Sequence, residues 1–282
     1  MNKIKKVGII ANQLKINAID YVDKIKKILE EYKIKCVYYS DLYMCNENTS
    51  AFDEIDLMIV LGGDGTLLNF ARLNASRYIP MLGINFGTLG FIAEVEPEDY
   101  KEAVLRVLEG DYFLSERIVL KATVLKEAGE IINIYGLNDV VIGKGESVRM
   151  LSVDAFINDR FLVNYNADGL IIAGPTGSTA YNLSAGGPVI HPEVKAFVVT
   201  PICPHTISER PLVIPHNETL KVCCSKEKNN QKAILSVDGQ VNIDFSSEDS
   251  VVISTADYTI KFVEFNQFGF YEKLRTRLSW GK

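Results

Sequence analysis

Residues 56–66 read DLMIVLGGDGT, and the chain on either side is organised around this stretch. The unbroken apolar run at 57–61 predicts a strand that is buried on both faces of a parallel sheet. Gly62, Gly63 and Gly65 follow it, and the next residues, LLNFARLNA, have the pattern of a helix. Because glycine lets another molecule approach the main chain closely, the stretch predicts a strand-to-helix turn with an accessible backbone.

Such a turn is a candidate phosphate site. Free N–H groups at the start of the helix bind an anion, helped by the helix dipole, so Gly62, Gly63, Gly65 and Thr66 are candidate phosphate-binding residues. Asp64 needs another explanation, because a carboxylate repels phosphate. It is suited to bind a hydroxyl that attacks phosphorus and to accept its proton. The alternative is a structural turn in which Asp64 caps the helix, and GGDGT alone does not separate the two.

The composition is that of an ordinary globular protein. The 282 residues are 47% hydrophobic and 23% charged, and this length predicts roughly two domains. The net charge of -6 argues against a general nucleic-acid binder. No apolar stretch reaches the roughly 18 residues that span a bilayer, and VGII near the N-terminus is too short for a signal peptide. We therefore expect a cytoplasmic protein with neither nucleic acid nor membrane as a partner.

The cysteines and histidines do not suggest a metal centre. The sequence has 5 cysteines, an odd number, and none of them are in a C-x-x-C spacing. This pattern argues against a disulfide framework or a zinc site and predicts reduced thiols. They are Cys36, Cys45, Cys203, Cys223 and Cys224. The histidines, His191, His205 and His216, are scattered in the sequence. No protein-bound structural metal is expected.

Strand and helix patterns alternate in the N-terminal part, which predicts a Rossmann-like parallel sheet of βαβ units. Strands are predicted over Val7–Asn12, Lys35–Ser40 and Pro80–Asn85, and helices over 19–32, 67–75 and 97–110. Ligands bind such sheets at the carboxyl ends of the strands. The GGDGT turn and the NFGTLG segment at 85–90 both follow strands, so we expect them to line one crevice.

The pattern changes near Ser115 to short alternating strands, which predict an antiparallel sandwich or barrel-like domain, and we favour an all-β sandwich. These strands are Ile118–Lys126, Ile131–Tyr135, Val153–Ile157, Phe161–Asn164, Ala196–Thr200, Thr219–Cys224, Ala233–Val237, Val251–Ser254 and Thr259–Phe265. The final FYEKLRTRLSWGK predicts a helix that returns to the first domain. Its expected inner face is Tyr271, Leu274 and Leu278. Its cations, Lys273, Arg275 and Arg277, could approach bound phosphates, but we expect them on a solvated helix face. The predicted domains are 1–98 with 257–282, and 99–256.

A second candidate site lies at 166–192, NADGLIIAGPTGSTAYNLSAGGPVIHP. The segment is rich in small polar residues and carries one aromatic side chain, Tyr181, a combination suited to a purine or sugar pocket. The alternative is an ordinary glycine-rich connection. That alternative does not readily explain why so long a surface segment contains so little charge, so we favour the pocket.

Taken together, the motifs resemble those of the bacterial NAD kinases. They stand in the family's order: GGDGT (62–66), LGINFGTLGF (82–91), LNDVVI (137–142), DGLIIAGPTGSTAYNLSAGGP (168–188) and SVDGQ (236–240). The resemblance covers almost the whole chain. GGDGT by itself is shared with diacylglycerol and sphingosine kinases, whereas PTGSTAYNLSAGGP is specific. The resemblance implies an N-terminal α/β domain, a C-terminal β-sandwich and a chain end that returns to the first domain.

The resemblance also implies a reaction, the transfer of a phosphoryl group from ATP or polyphosphate to the adenosine ribose 2′-hydroxyl of NAD. Mg²⁺ would accompany the donor, and the family commonly forms homodimers or homotetramers. Asp64 matches the proposed general base, and Gly65 adjoins it at the dinucleotide. Asn138 and Asp139 match an Asn–acid pair on the adenosine part, although Glu is common at the second position. Further implied NAD contacts are Arg149, Asn166, Asp168, Thr179, Ala180, Tyr181, Asn182, Leu183, Ser184 and Gln240.

Two other functions fit parts of the sequence. A lipid kinase of the diacylglycerol type would share the region around Asp64, but such kinases usually continue with PxGTxNDFAR, where this chain has NFGTLGFIAE. A non-catalytic dinucleotide sensor would need the pocket without the base. The absence of a G-x-G-x-x-G turn argues against an ordinary dehydrogenase.

Overall fold

A computed structural model describes residues 4–13, 15, 17–40, 52–74, 77–87, 90–147, 149–206, 208–225, 232–266 and 269–280. Residues 41–51, which are mostly polar and suggest a loop after the strand predicted at Lys35–Ser40, lie outside this description and include Cys45. The chain divides into two compact units, Met1–Glu116 with Ile260–Lys282, and Arg117–Thr259. The predicted boundary at 98/99 had assigned the helix after Pro97 to the second domain, whereas its contacts belong to the first unit.

The helices and strands follow one another along the chain in the order of their numbers. They are β1 (Lys6–Ala11), α1 (Ala18–Glu31), β2 (Lys35–Tyr39), β3 (Leu57–Gly62), α2 (Asp64–Leu73), β4 (Met81–Asn85), α3 (Tyr100–Glu109), β5 (Phe113–Leu125), β6 (Ile131–Gly136), β7 (Asp139–Gly143), β8 (Leu151–Ile157), β9 (Arg160–Ala167), β10 (Gly169–Ala173), α4 (Tyr181–Ser184), β11 (Ala196–Ile202), β12 (Leu212–Pro215), β13 (Leu220–Cys224), β14 (Ala233–Val237), β15 (Val241–Phe245), β16 (Ser250–Glu264) and α5 (Gly269–Arg277).

The first unit is built on a parallel sheet, as predicted. Its strand order is β2-β1-β3-β4, and the end of β16 pairs in parallel with β4, where Phe262 aligns with Met81. Every residue of β3 is buried, which is the burial that its unbroken apolar run predicts. Val22 of α1 and Val104 of α3 share a core with Ile59 of β3, so helices cover this sheet and the α/β prediction is confirmed.

The helix signals around α3 are also confirmed. A 3-10 turn over Pro97–Asp99 leads into the helix, and Gly110 ends it with φ 82 in the left-handed region. None of the helices within the described ranges is long and apolar enough to cross a membrane.

The C-terminal helix α5 belongs to the first unit, which confirms the predicted return, but the predicted inner face is wrong at Tyr271, whereas Leu274 and Leu278 are partly buried. Tyr271 is 53% exposed, whereas Lys273 is only 9% exposed and Arg277 is half-buried. The buried Gly269 lies close to Glu94, since a Cβ at that position would be 3.2 Å from Glu94 Oε1. Lys273 is one helical turn from Gly269 on the same face, and the stem of a lysine can cover apolar surface.

The second unit is an antiparallel sandwich, as predicted. One sheet has the order β12-β11-β10-β7-β14-β15, and the other joins β9, β8, β13 and β16, with the β5–β6 hairpin beside them. The two sheets share one core, in which Leu170 and Phe197 of the first meet Val153 and Val222 of the second. Burial of these alternating apolar residues holds the sandwich together.

Several strands of this unit were missed or divided by the sequence prediction. β12 and β15 are the two edges of their sheet, and most of their residues are at least partly exposed, so their apolar signal is weak. The central strand β7 lies within LNDVVI and was treated only as a motif. Val251–Ser254 and Thr259–Phe265 were predicted as separate strands, but both lie in the continuous β16. Pairing with neighbouring strands keeps the backbone extended through the more polar residues at 255–258, which had suggested a break between two strands.

Candidate active site

In the first unit, the GGDGT turn joins β3 directly to α2. The N-cap residue of α2 is Gly63, which has an extended backbone (φ -92, ψ -176). Because glycine has no side chain, the helix has no side-chain cap there. A Cβ at Gly62 would overlap the side chain of Thr66, so the tight turn requires glycine there. Asp64 is the first helical residue, and Gly65 beside it is exposed. The predicted turn is confirmed.

The Asp64 carboxylate does not cap its own helix, so the structural alternative for this residue is wrong. It accepts hydrogen bonds from successive main-chain N–H groups of the segment after β4. Phe91 N is 2.7 Å from Oδ2, Ala93 N is 3.0 Å from Oδ1, and Ile92 N lies 3.2 and 3.3 Å from the two oxygens. Each carboxylate oxygen therefore has two contacts, and the shared donor Ile92 N makes the two longest ones, which are the weakest of the four.

The ends of β3 and β4 lie together at this point, as the prediction of one shared crevice requires. Phe86 N donates to Gly62 O at 3.1 Å, and a Cβ at Gly87 would lie 3.2 Å from the Cα of Gly63. A Cβ at Gly90 would overlap the Asp64 carboxylate. The glycines of NFGTLG therefore make room for the turn and for its aspartate.

A cation from α5 lies beside Asp64 and was not predicted as a site residue. Arg277 Nη2 donates to the Ala93 carbonyl at 3.5 Å, on the same residue whose N–H binds Asp64. Burial lowers the pKa of Arg277, and the carboxylates of Asp64, Glu96 and Glu94 oppose that shift. Arginine remains cationic in proteins, so a positive charge offsets this acidic group. The sequence indicated cations on the tail but assigned all of them to a solvated face, which is wrong for Arg277 and Lys273.

In the second unit, the structure brings the PTGSTAY turn against the Asn138–Asp139 pair. Gly174 N donates to the Asn138 carbonyl at 2.9 Å. Gly177 packs so closely that a Cβ there would lie 2.7 Å from Asn138 Cα and would overlap the carbonyl oxygen. Two sequence motifs that are far apart in the chain therefore share one surface.

Buried hydrogen bonds shape the PTGSTAY turn itself. Ser178 Oγ donates to Pro175 O at 2.6 Å and accepts from Ile190 N at 2.9 Å. Asn182 is fully buried, and its amide donates to Ser178 O and Pro188 O at 3.1 Å each while accepting from Thr200 Oγ1 at 2.6 Å. The Asn182 side chain is thus engaged in building the turn.

The other predicted residues of this turn differ in exposure. Tyr181 is 48% exposed and Ser184 is also exposed, whereas Thr179, Ala180 and Leu183 are half-buried. Their exposed parts are available to a ligand, and their contacts with NAD stay predictions.

The remaining predicted residues lie on neighbouring strands and turns. Asp168 Oδ1 forms a 2.8 Å ion pair with Lys144 Nζ, a partner that the sequence did not suggest. Asn166 Nδ2 donates to Asn164 Oδ1 at 2.8 Å. Arg149 and Gln240 are exposed in turns of the same unit, and their proposed contacts also stay predictions.

The side chain of Asp139 is in an unusual electrostatic environment. It is 5% exposed. Burial, and then the negative charge of nearby Asp238, raise the pKa of Asp139 from an ordinary value of 3.8 to about 7. Desolvation and a like charge both disfavour the ionised carboxylate, so Asp139 titrates close to neutral pH. Within the described ranges, no three His, Cys, Asp or Glu side chains are grouped to hold a metal ion.

The fold is the one seen in two solved kinase structures. One is yeast NADH kinase complexed with NADH, with a TM-score of 0.88, 24% identity, and coverage of 100% of this chain and 89% of that chain. The other is an NAD kinase from Archaeoglobus fulgidus in complex with ATP, with a TM-score of 0.78, 22% identity, and coverage of 98% and 100%. At these identities the likeness establishes the fold alone.

Sequence comparison establishes the family. Residues 7–112 match the model of the ATP-NAD kinase N-terminal domain, and residues 137–265 match that of the C-terminal domain. The chain is 38% identical over 280 residues to the NAD kinase of Carboxydothermus hydrogenoformans, covering 99% of this chain and 97% of that one. It is 41% identical over 230 residues to the NAD kinase of Geotalea daltonii, covering 82% and 80%. The chain belongs to the NAD kinase family.

The raised pKa of Asp139 predicts a pH-dependent stability. The folded state binds this proton more tightly than the unfolded state, so the free energy of unfolding should fall as pH rises from about 4 to about 7. Asp139→Asn removes this titration. The stability of the variant relative to the unmodified protein should therefore grow across that window, by on the order of a few kcal/mol.

Urea unfolding between about pH 4 and about pH 8 measures this difference. Asp244→Asn, at an exposed position of β15, controls for the general effect of replacing an aspartate. A difference that stays constant with pH for Asp139→Asn would show that Asp139 is ionised throughout.

Proposed function

We propose that this protein is an NAD kinase, which transfers a phosphoryl group from ATP or another phosphate donor to the adenosine ribose 2′-hydroxyl of NAD, giving NADP. The carboxylate of Asp64 carries the proposal. It is held at the start of α2 by three main-chain N–H groups, of which Ile92 N makes the two longest contacts. A sugar hydroxyl would compete with that shared bond as a donor to the carboxylate.

Asp64 would orient the 2′-hydroxyl and accept its proton as the oxygen attacks phosphorus. Its fixed side chain supports this role, because phosphoryl transfer depends mainly on positioning and charge stabilisation. Arg277 offsets the negative charge of Asp64 and its acidic neighbours, which favours the approach of an anionic donor. The role of general base typically contributes ~10²–10⁴-fold to the rate.

The donor phosphates would bind the main-chain N–H groups of the GGDGT turn, at Gly62, Gly63, Gly65 and Thr66. Mg²⁺ would arrive with the donor and neutralise charge on its phosphates. It commonly keeps several waters and takes few protein ligands, so this site needs no dedicated cluster of acidic residues.

The proposal includes the dinucleotide contacts that the resemblance to the family implies. The proposed contacts are Asp64, Gly65, Asn138, Asp139, Arg149, Asn166, Asp168, Thr179, Ala180, Tyr181, Asn182, Leu183, Ser184 and Gln240. The packing of Gly174 and Gly177 on Asn138 supports a common surface for the residues of the second unit. Because the Asn182 side chain is buried and hydrogen-bonded, we assign any contact of that residue to its main chain.

A homodimer or homotetramer, which the family resemblance implies, and a cytoplasmic location, which the sequence pattern indicates, remain predictions. The mechanism depends on neither.

Assay of the purified protein tests the reaction and its donor. With ATP and Mg²⁺, we expect NADP to form from NAD and no phosphatidic acid to form from diacylglycerol. Parallel reactions with other nucleoside triphosphates and with polyphosphate identify the donors. Formation of phosphatidic acid without formation of NADP would favour the lipid-kinase alternative. Binding of NAD without formation of NADP from any donor would favour the non-catalytic sensor.

Asp64→Asn tests the proposed base. We expect kcat to fall by ~10²–10⁴-fold because the amide cannot accept the proton. The variant should also lose some stability, since its NH₂ group opposes main-chain N–H donors. Asp56→Asn is a matched control, because Asp56 Oδ2 also accepts two main-chain N–H groups, from Lys5 at 2.8 Å and Lys6 at 2.9 Å. The control should lose stability and keep its kcat, and an unchanged kcat in Asp64→Asn would remove the mechanism.

Gly90→Ala tests whether the position of Asp64 matters. The added methyl group would overlap the carboxylate, and the aspartate side chain should rotate away from its N–H donors. Because the clash involves the end of a side chain, we expect the protein to fold and kcat to fall by at least about tenfold. Gly143→Ala is the control, since no atom of the described residues lies within 4 Å of a Cβ there. Equal kcat values for the two variants, measured by NADP formation, would contradict the positioning role.

A further inference from the structure

The carboxylate of Asp238 binds the main chain that carries the Asn138–Asp139 pair. Asn138 N and Asp139 N lie 2.7 and 3.1 Å from Oδ1, and Leu137 N lies 2.9 Å from Oδ2. In return, Asp238 N donates to the Asp139 carbonyl at 3.0 Å. Consecutive peptide groups from 137 to 139 are therefore fixed by one residue of the β14–β15 turn.

The same peptide segment is held from a second direction. The Asn138 carbonyl accepts from Gly174 N at 2.9 Å, and the main chain of Asn138 is in close contact with Gly177. The Asn138 peptide thus lies between the Asp238 carboxylate and the PTGSTAY turn. A shift of this peptide would move the two side chains that are proposed to contact the dinucleotide.

The local backbone supports this arrangement. Asp238 has φ 52 and the following Gly239 has φ 65, both in the left-handed region, which aspartate tolerates better than most residues. A Cβ at Gly136 would lie 3.0 Å from Asp238 Oδ1. The turn and the glycine opposite it together leave room for a carboxylate against the main chain at 137–139.

We propose that Asp238 is a positioning residue for the dinucleotide site, because its carboxylate holds the main chain of Leu137–Asp139 and thereby places the side chains of Asn138 and Asp139. This inference rests on the proposed function. Asp238 acts through the main chain and is assigned no contact with the substrate.

A graded pair of variants tests the role. Asp238→Asn keeps one oxygen, which can still accept from Asn138 N and Asp139 N, whereas Asp238→Ala loses all three bonds. We expect the Kd for NAD, measured by calorimetry, to rise roughly tenfold in the Asn variant and further in the Ala variant. KM for NAD should rise in the same order, while kcat at saturating NAD changes by less than about threefold.

A matched control separates positioning from a general loss of stability. Asp249 belongs to the same unit, is 2% exposed, and accepts from Glu127 N at 3.0 Å, Ser246 N at 2.7 Å and Lys126 Nζ at 2.6 Å. Asp249→Asn should lower Tm, as Asp238→Asn should, but leave the Kd for NAD unchanged. Equal changes in Kd for the two variants would show that affinity follows stability, and would overturn the proposal.

The pH profile of NAD affinity provides a second readout. The negative charge of Asp238 contributes to the raised pKa of Asp139, so its removal should lower that pKa. The midpoint of the pH dependence of Kd should then move to lower pH in Asp238→Asn, which a loss of stability alone does not produce. A midpoint that does not move would count against the proposal.

The outcomes remain distinct from those of the proposed function. If the unmodified protein binds NAD but forms no NADP, the kinase proposal fails while calorimetry still tests Asp238. If it forms NADP and folded Asp238→Ala binds NAD like the unmodified protein, the positioning role is wrong. If Asp238→Ala does not fold, the comparison of Asp238→Asn with Asp249→Asn tests the positioning role instead.

Discussion

The binding of an aspartate carboxylate by three successive main-chain N–H groups underlies both candidate regions of this protein. Asp64 is held in this way by 91–93, and Asp238 holds 137–139 in the same way. Hydrogen bonds to a charged acceptor are about twice as strong as neutral ones. Because each carboxylate binds a segment distant in sequence, the interaction fixes one loop against another rather than closing a single turn.

The two carboxylates serve opposite purposes. The N–H groups at 91–93 hold the Asp64 carboxylate in place, and that carboxylate is proposed to act on the substrate. The Asp238 carboxylate instead holds the main chain at 137–139, which carries the two side chains proposed to bind the dinucleotide. A glycine lies next to each carboxylate, Gly90 next to Asp64 and Gly136 next to Asp238. A side chain at either position would approach the carboxylate too closely. The glycines at these two positions therefore make space for a protein carboxylate.

Much of the fold was predictable because its patterns are local. The apolar run of β3, the amphipathic spacing of α1 and the alternation along β13 reflect burial of one or both faces of each element. The edge strands β12 and β15 were missed because they bury little, and β16 was divided because its continuity depends on pairing with neighbours. The burial of Lys273 on α5 was not predicted because a buried lysine stem is not part of an apolar pattern.

The sequence alone determined the two-part fold class, the strand-to-helix turn and the motifs that indicate the family, since glycine spacing and apolar periodicity act over a few neighbouring residues. The tertiary structure decided which groups those motifs meet. It directs Asp64 to the amides at 91–93 instead of to its own helix, engages Asn182 inside its turn, and sets Arg277 near an acidic group. These partners come from distant parts of the chain, and only folding brings a carboxylate within hydrogen-bond distance of them.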